Sequence, residues 1–284
     1  MKIDLHTHSN FSDGTDRPSE LINKALSQGI TTLALTDHDT VAGWDEAIDW
    51  LRPGMDLVLG SEISCQTADG ISVHMLGLLF DRNHQPLQEM MAATRDNRLG
   101  RMERIITKMN GAGIEITIEE VHAQLSEGAT LGRPHLADAL VAKGLAKSRD
   151  EVFADWLANS SPFYVAHYSP TPEVAIAAIK AAGGVAVIAH PLASLRGRVV
   201  SLESFDSYIA AGLDGIEVKH RDQTPDQQEL LLRIAASADL AMTGSSDYHG
   251  NGKMNELAEF TTDPDQWAKL EARADARRVV RKAS

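Results

Sequence analysis

A chain of 284 residues with 43% hydrophobic content is long enough to bury a sizeable core in one large domain, or in one domain carrying an insertion. Its 27 basic against 40 acidic residues leave a net charge of −13, which disfavours the broad basic footprint used on duplex DNA. The single cysteine, Cys65, excludes an intrachain disulfide and argues against a thiolate-rich zinc site. With no charged leader, no cleavage site and no apolar run of about 18 residues, the chain reads as soluble and cytoplasmic, without a membrane partner.

The first strand carries Asp4-Leu5-His6-Thr7-His8. Alternate residues of extended backbone share a face, so His6 and His8 point the same way and can share a cation. Residues 10–16 form a polar turn, and Pro18 opens a helix over 19–28 that ends at Gly29. The β-rich run 31–36 terminates in Asp37-His38-Asp39. A helix over 43–52, closed by Pro53-Gly54, precedes a strand over 56–60 that delivers Ser61-Glu62, and the apolar run 71–80 carries His74. Strand, helix, strand order with polar residues at each strand exit is the pattern of a parallel α/β barrel or doubly wound sheet. Catalytic groups in such folds collect at the carboxyl ends of the strands.

From residue 86 to 167 the rhythm is helical, and the spacing predicts helices over 87–110, 117–125, 134–143 and 149–159. We read 86–167 as a helical insertion contributing to the substrate pocket, between barrel segments 1–85 and 168–284. Alternation resumes with Thr171-Pro172, an N-cap followed by proline, and a strand over 185–189 that ends in His190-Pro191. A helix over 202–211, a strand over 215–220 and a helix from Thr224-Pro225 to residue 238 follow. The run 241–244 then leads into Ser245-Ser246-Asp247-Tyr248-His249, and the tail with Arg277, Arg278, Arg281 and Lys282 reads as a fraying basic helix end.

The polar residues at strand exits are His6, His8, Asp13, His38, Glu62, His74, His190, Asp247 and His249, too many for one ion. Imidazole and carboxylate without thiolate suit Mn, Fe or Zn. The segments Asp4 to Ser9, Thr36-Asp37-His38-Asp39, Gly60-Ser61-Glu62, Ala189-His190-Pro191 and Ser246-Asp247-Tyr248-His249 resemble the motifs of the PHP (polymerase and histidinol phosphatase) family of the amidohydrolase superfamily. Gly132-Arg133-Pro134-His135 and Gly215-Ile216-Glu217-Val218 resemble its TrpH-type phosphoesterase subgroup.

The resemblance implies an α/β fold, a distorted (β/α)7 barrel, holding up to three divalent metals with Mn foremost. By motif, His6, His8, Glu62 and Asp247 would bind the first ion, and Asp13, His38 and His249 the second. Glu62, His74 and His190 would bind the third, with Glu62 bridging. His135 is a rival to His190 there; His190 is preferred because it ends a barrel strand. The implied activity is a phosphoric monoester hydrolase that removes the 3′-phosphate of a 3′,5′-nucleoside bisphosphate such as pAp. The alternative is a 5′-to-3′ exoribonuclease on short 5′-phosphorylated RNA. In either case a metal-bound hydroxide, held by the ligands of the first two ions, would attack phosphorus in line. Arg133 and His135, at a helix start, are candidates for a second phosphate, and Lys219 and His220 for the scissile one. His220 or metal-bound water would protonate the leaving group. Arg95, Arg98, Arg101 and Arg104, spaced at threes, read as a solvated helix face.

Overall fold

Strand order in the sheet follows chain order, through helical connections, one hairpin between the third and fourth strands, and one long helical excursion between the fourth and fifth. The computed structural model describes residues 1–126, 129–158, 161–166, 168–276 and 279–282. Strands β1 (Ile3–Asp4), β2 (Thr32–Leu35) and β3 (Asp56–Gln66) are parallel neighbours joined through α1 (Pro18–Ser27) and α2 (Trp44–Trp50). β4 (Ser72–Leu78) turns back against β3, and β5 (Val185–Ala189) is antiparallel to β4. Parallel pairing returns with β6 (Gly215–Lys219) and β7 (Ala241–Gly244). A parallel bridge between Thr7 and Tyr248, with the His8 N–H donating to Tyr248 O at 2.8 Å, draws the first and last strands together. The seven strands thereby form the distorted, nearly closed barrel that the motifs implied.

An all-parallel order fails at β4 for a local reason. Residues 67–71 are too few for a crossover, which takes a dozen or more, and Gly70 at φ +83° makes the turn of a hairpin. β3 is correspondingly longer than the strand expected over 56–60.

Within the strands, alternation sorts side chains into two cores. Leu33, Leu35, Leu57, Leu59, Ala186 and Ile188 pack with helix residues such as Leu21, Ile22 and Trp44. Their neighbours Ala34, Val58, Val185 and Val187 form a second cluster with Trp267 and Leu270 of a helix, Pro264–Glu271, that the sequence reading did not anticipate. The helices expected over 87–110 and 134–143 appear as α3 (Gln85–Gly111) and α5 (Arg133–Ala142). Between them, the helix expected over 117–125 is the shorter α4 (Ile118–His122), opened by a Thr117 and Glu120 capping box. α6 (Arg149–Val152) continues as a π-type turn over Phe153–Leu157, and Asn159 and His167 lie outside the described residues. Leu87 and Met91 of α3 join the barrel core, whereas Met102, Ile105 and Met109 pack with Val121, Leu136, Leu140 and Val152 in a core of their own. α3 therefore spans both.

The tail is not a helix where it is described. Val280–Arg281 pairs antiparallel with β3, while Arg277 and Arg278 lie outside the described residues. No described helix is long and apolar enough to cross a membrane.

Candidate metal centre

The ligand-type residues cluster because the strand exits converge. His6 and His8 follow β1, His38 follows β2 and forms an isolated bridge with Glu62 of β3, and His74 lies on β4. His190 follows β5, and Asp247 and His249 follow β7. Asp39, His190 and Asp247 adopt positive φ (54°, 30° and 53°), a conformation costing about 1–3 kcal/mol for a non-glycine residue. Such strain persists where the surroundings hold it, and here the Asp39 N–H donates to Glu62 O at 3.0 Å and the His190 N–H to Glu217 Oε2 at 2.9 Å.

Glu62 is the centre of the cluster and is 1% exposed. Its Oε2 lies 3.3 Å from His6 Nε2, 3.1 Å from His8 Nε2 and 3.2 Å from His38 Nδ1. Its Oε1 lies 2.8 Å from His74 Nδ1 and 3.3 Å from His190 Nε2. Asp247 Oδ1 is 3.4 Å from the Nε2 atoms of both His6 and His8, and Asp13 Oδ1 is 3.2 Å from His249 Nε2. Donor atoms lie within 4.8 Å of one another in four sets. One comprises His6, His8, Glu62 and Asp247, a second His8, Asp13, His38 and His249, a third His38, Glu62 and His74. His190 falls into the fourth, with His6 and Glu217, although it also reaches Glu62.

Several of these atoms have no hydrogen bond. Asp13 Oδ1, His38 Nδ1, Glu62 Oε1, His74 Nδ1 and His249 Nε2 are buried without a hydrogen-bond partner, and all point into the cluster. Buried polar atoms in folded proteins are as a rule satisfied, so the concentration of unsatisfied ones in this cluster marks a place for cations. The electrostatics agree. Burial opposes the charge on His6 and His8, yet Glu62, Glu217 and Asp247 hold His6 well above its usual range, and Asp247 and Glu62 raise His8 to about 9. Burial and Lys253 push His249 down to about 4. Burial likewise opposes ionisation of Glu62, but His74, His38 and His6 keep it well below the carboxylate range. Oxygen and imidazole donors without sulfur fit Mn, Fe or Zn.

A cavity of about 990 Å³ is lined by Asp13, His38, His74 and His190 of the cluster together with Arg98, Arg101 and Phe153. Arg133 lines it, donating to Leu157 O at 2.8 Å and lying over the Phe153 ring. His135 does not reach the ligand atoms. Its Nδ1 accepts the Gly132 N–H at 3.1 Å and so caps α5. Lys219 is not brought to the site either. A register shift between Glu217 and Lys219 breaks the strand's alternation, and the half-exposed lysine lies 3.7 Å from Asp263. His220 is fully buried; its Nδ1 accepts from the Asp222 N–H, directing Nε2 at Asp247 Oδ2, 3.5 Å away.

The arginine run is a solvated face only at Arg104; Arg95, Arg98 and Arg101 are partly or wholly buried. Arg95 and Arg98 bind Asp39, and Arg98 and Arg101 line the cavity. Arg101 donates to Val165 O at 2.8 Å and has no ion pair among the described residues. Burial and the nearby Arg133 push its guanidinium down to about 9, so it is still charged at neutral pH. α3 is wedged between the barrel and the second helical core, which leaves part of its polar side facing the cavity instead of water.

Two site residues escaped the sequence reading. Lys253, whose Nζ is 3.1 Å from Asp247 Oδ2, belongs to an irregular loop without periodicity. Glu217, by contrast, had a visible signal: a carboxylate inside the apolar strand Gly215-Ile216-Glu217-Val218.

Residues 4–171 match the PHP domain family. The chain belongs to the PHP family. Among relatives of this PHP protein, a 5′-3′ exoribonuclease of Haemophilus influenzae is 38% identical over 251 residues, 87% of this chain and 90% of the relative. A 3′,5′-nucleoside bisphosphate phosphatase of Chromobacterium violaceum is 32% identical over 277 residues, 95% of this chain and 97% of the relative. The PHP chain also superposes on a Bifidobacterium adolescentis structure assigned as a metal-dependent phosphoesterase, with a TM-score of 0.90, 43% identity and 96% of each chain covered. A C. violaceum amidohydrolase structure with bound sulfate and no metal gives a TM-score of 0.87 at 31% identity, covering 100% of this chain and 99% of the other.

Proposed function

We propose that this PHP protein is a cytoplasmic, metal-dependent phosphoesterase that removes the 3′-phosphate of 3′,5′-nucleoside bisphosphates such as pAp. The observation that carries the reading is one cavity with two chemistries. Buried imidazole and carboxylate atoms without hydrogen bonds gather around Glu62 at one wall, and Arg101 and Arg133 stand at another. Held by His6, His8, Asp13, His38, Glu62, His74, His190, Asp247 and His249, divalent metals, three with Mn foremost, would supply an acidified water and polarise phosphoryl oxygens.

The chain's own residues do the rest. Arg133 and Arg101, partly desolvated and lining the cavity, favour a dianionic second phosphate. Lys253, beside Asp247, lowers the electrostatic cost of bringing an anion to a carboxylate-rich cluster. His220 holds Asp247 in place through Nε2. In this reading residues 86–167 are a helical insertion on a barrel made by 1–85 and 168–284, and α3 and α5 carry the arginines of the phosphate pocket.

A second reading, stepwise 5′-to-3′ release of nucleotides from short 5′-phosphorylated RNA, is favoured by the cavity's volume, at the top of the roughly 300–1,000 Å³ range of small-molecule sites. The two share geometry, since a 3′-phosphate and a 3′-phosphodiester present the same phosphorus. The test compares turnover of pAp with that of a 5′-phosphorylated trinucleotide on Mn-reconstituted protein. Fast release of phosphate from pAp with a poor trinucleotide rate supports the phosphatase. Comparable or faster mononucleotide release from the trinucleotide overturns it in favour of the exonuclease.

A further inference from the structure

Glu217 has no part in the motif-derived ligand sets, yet it is wholly buried against two of their members. It lies on β6 between Ile216 and Val218, which belong to the hydrophobic core. A carboxylate placed there is costly unless each oxygen meets a donor. Its oxygens are divided between two residues: Oε1 lies 3.1 Å from His6 Nδ1, and Oε2 accepts the His190 N–H at 2.9 Å. His6 thus turns Nδ1 to Glu217 and Nε2 to Glu62 and Asp247, at 3.3 and 3.4 Å. His190, whose N–H is held, has its backbone at φ +30° and its Nε2 3.3 Å from Glu62.

We propose that Glu217 is a positioning residue that sets two metal ligands at once, keeping the His6 proton on Nδ1 so that Nε2 offers its lone pair to the cluster, and pinning the strained backbone that aims His190 at Glu62. The inference rests on the metal-dependent reading of the cluster. A carboxylate hydrogen-bonded to a ligating histidine fixes its tautomer and raises its basicity.

An amide cannot replace the carboxylate here, because both groups facing it are donors. A backbone N–H cannot reverse, so the oxygen of a glutamine takes the His190 N–H and its NH₂ faces His6 Nδ1. The His6 ring then accepts at Nδ1 and carries its proton on Nε2, aimed between Glu62 and Asp247 where a cation belongs.

The test uses zinc, which is diamagnetic, with wild type and Glu217→Gln titrated side by side. Metal content and affinity are measured together with nitrogen NMR of the histidine rings. In the wild type, His6 should show a protonated Nδ1 and a metal-bound Nε2. Glu217→Gln should lose that signature, and zinc affinity should fall roughly 10–100-fold. Glu217→Asp, which keeps two acceptor oxygens, should keep the Nδ1–H tautomer and bind zinc with intermediate affinity, and it carries the test if the glutamine variant does not fold. Unchanged affinity and an unchanged His6 signature in Glu217→Gln would overturn the proposal. So would lost zinc with His6 still metal-bound through Nε2, which would make Glu217 itself a ligand. A wild type that binds no zinc would overturn the metal reading as well, and so separates the two failures.

Discussion

The contact between Arg98 and Asp39 ties helix α3 to the loop that presents His38, and its strength can be worked out from its surroundings. Asp39 is fully buried; Oδ1 accepts the Ser64 N–H at 2.8 Å and Oδ2 accepts from the Arg98 guanidinium, which also reaches Ser64 Oγ. Removing Arg98 leaves the carboxylate with the Ser64 N–H alone. Breaking a buried pair costs about 3–5 kcal/mol. The Arg98 side chain is 15% exposed and borders the cavity, so water would enter beside Asp39, and Arg98→Ala should cost about 2–3 kcal/mol. At roughly 2–4 °C per kcal/mol this lowers Tm by about 4–12 °C.

Asp39→Asn removes the charge, keeps the shape and tolerates the positive φ of 54°. The double variant should therefore be less destabilised than the sum of the single ones, by about 1–3 kcal/mol. Urea unfolding of metal-free protein, compared by midpoint at equal slope, measures both. Since Asp39 adjoins His38, Arg98→Ala should also weaken metal binding. An Arg98→Ala protein within about 0.5 kcal/mol of wild type, or single effects that simply add, would refute the argument.

Three further outcomes are expected. Arg133→Ala should raise KM for pAp roughly 10–100-fold, in line with the loss of a charge-assisted bidentate contact, while changing KM for a simple aryl phosphate little; steady-state kinetics on both substrates decide it. Chelation should abolish turnover, and added Mn should restore it and stabilise the fold by about 2.7 kcal/mol per site at 100 times Kd, seen as a raised Tm; a Tm indifferent to Mn would contradict the fit of the cluster to cations. Tyr208 is 1% exposed, and burial raises its phenol from 10.0 to about 12. The folded state therefore holds that proton more tightly, so the associated stability is intact below pH 10 and is lost as pH rises towards 12, by about 2–3 kcal/mol. Tyr208→Phe should lose less stability than wild type over that window, as followed by alkaline denaturation.

Much of the site was legible because its signals are local. Extended backbone alternates, so a histidine pair at positions 6 and 8 had to share a face, and their Nε2 atoms lie 3.1 Å apart. Ligand-type residues stand at strand exits because short polar turns follow apolar runs, and that pattern can be read along the chain. The helix starts at Thr171-Pro172 and Thr224-Pro225 are as expected, with each threonine capping its helix.

What the sequence left open depends on partners brought from far away. Whether Arg98 and Arg101 face water or a cavity depends on what packs against α3, and no spacing along that helix carries this information. His6 and Glu217 are 211 residues apart, and only the convergence of β1 and β6 across the barrel sets one against the other. The position of Lys219, beside Asp263, follows a single shift of register, a choice made between neighbouring strands. Residue type and period determined which chemistry this chain could hold; closure of the barrel decided which atoms meet, because the hydrogen bonds and charges that orient the ligands act over about 3 Å and across hundreds of residues.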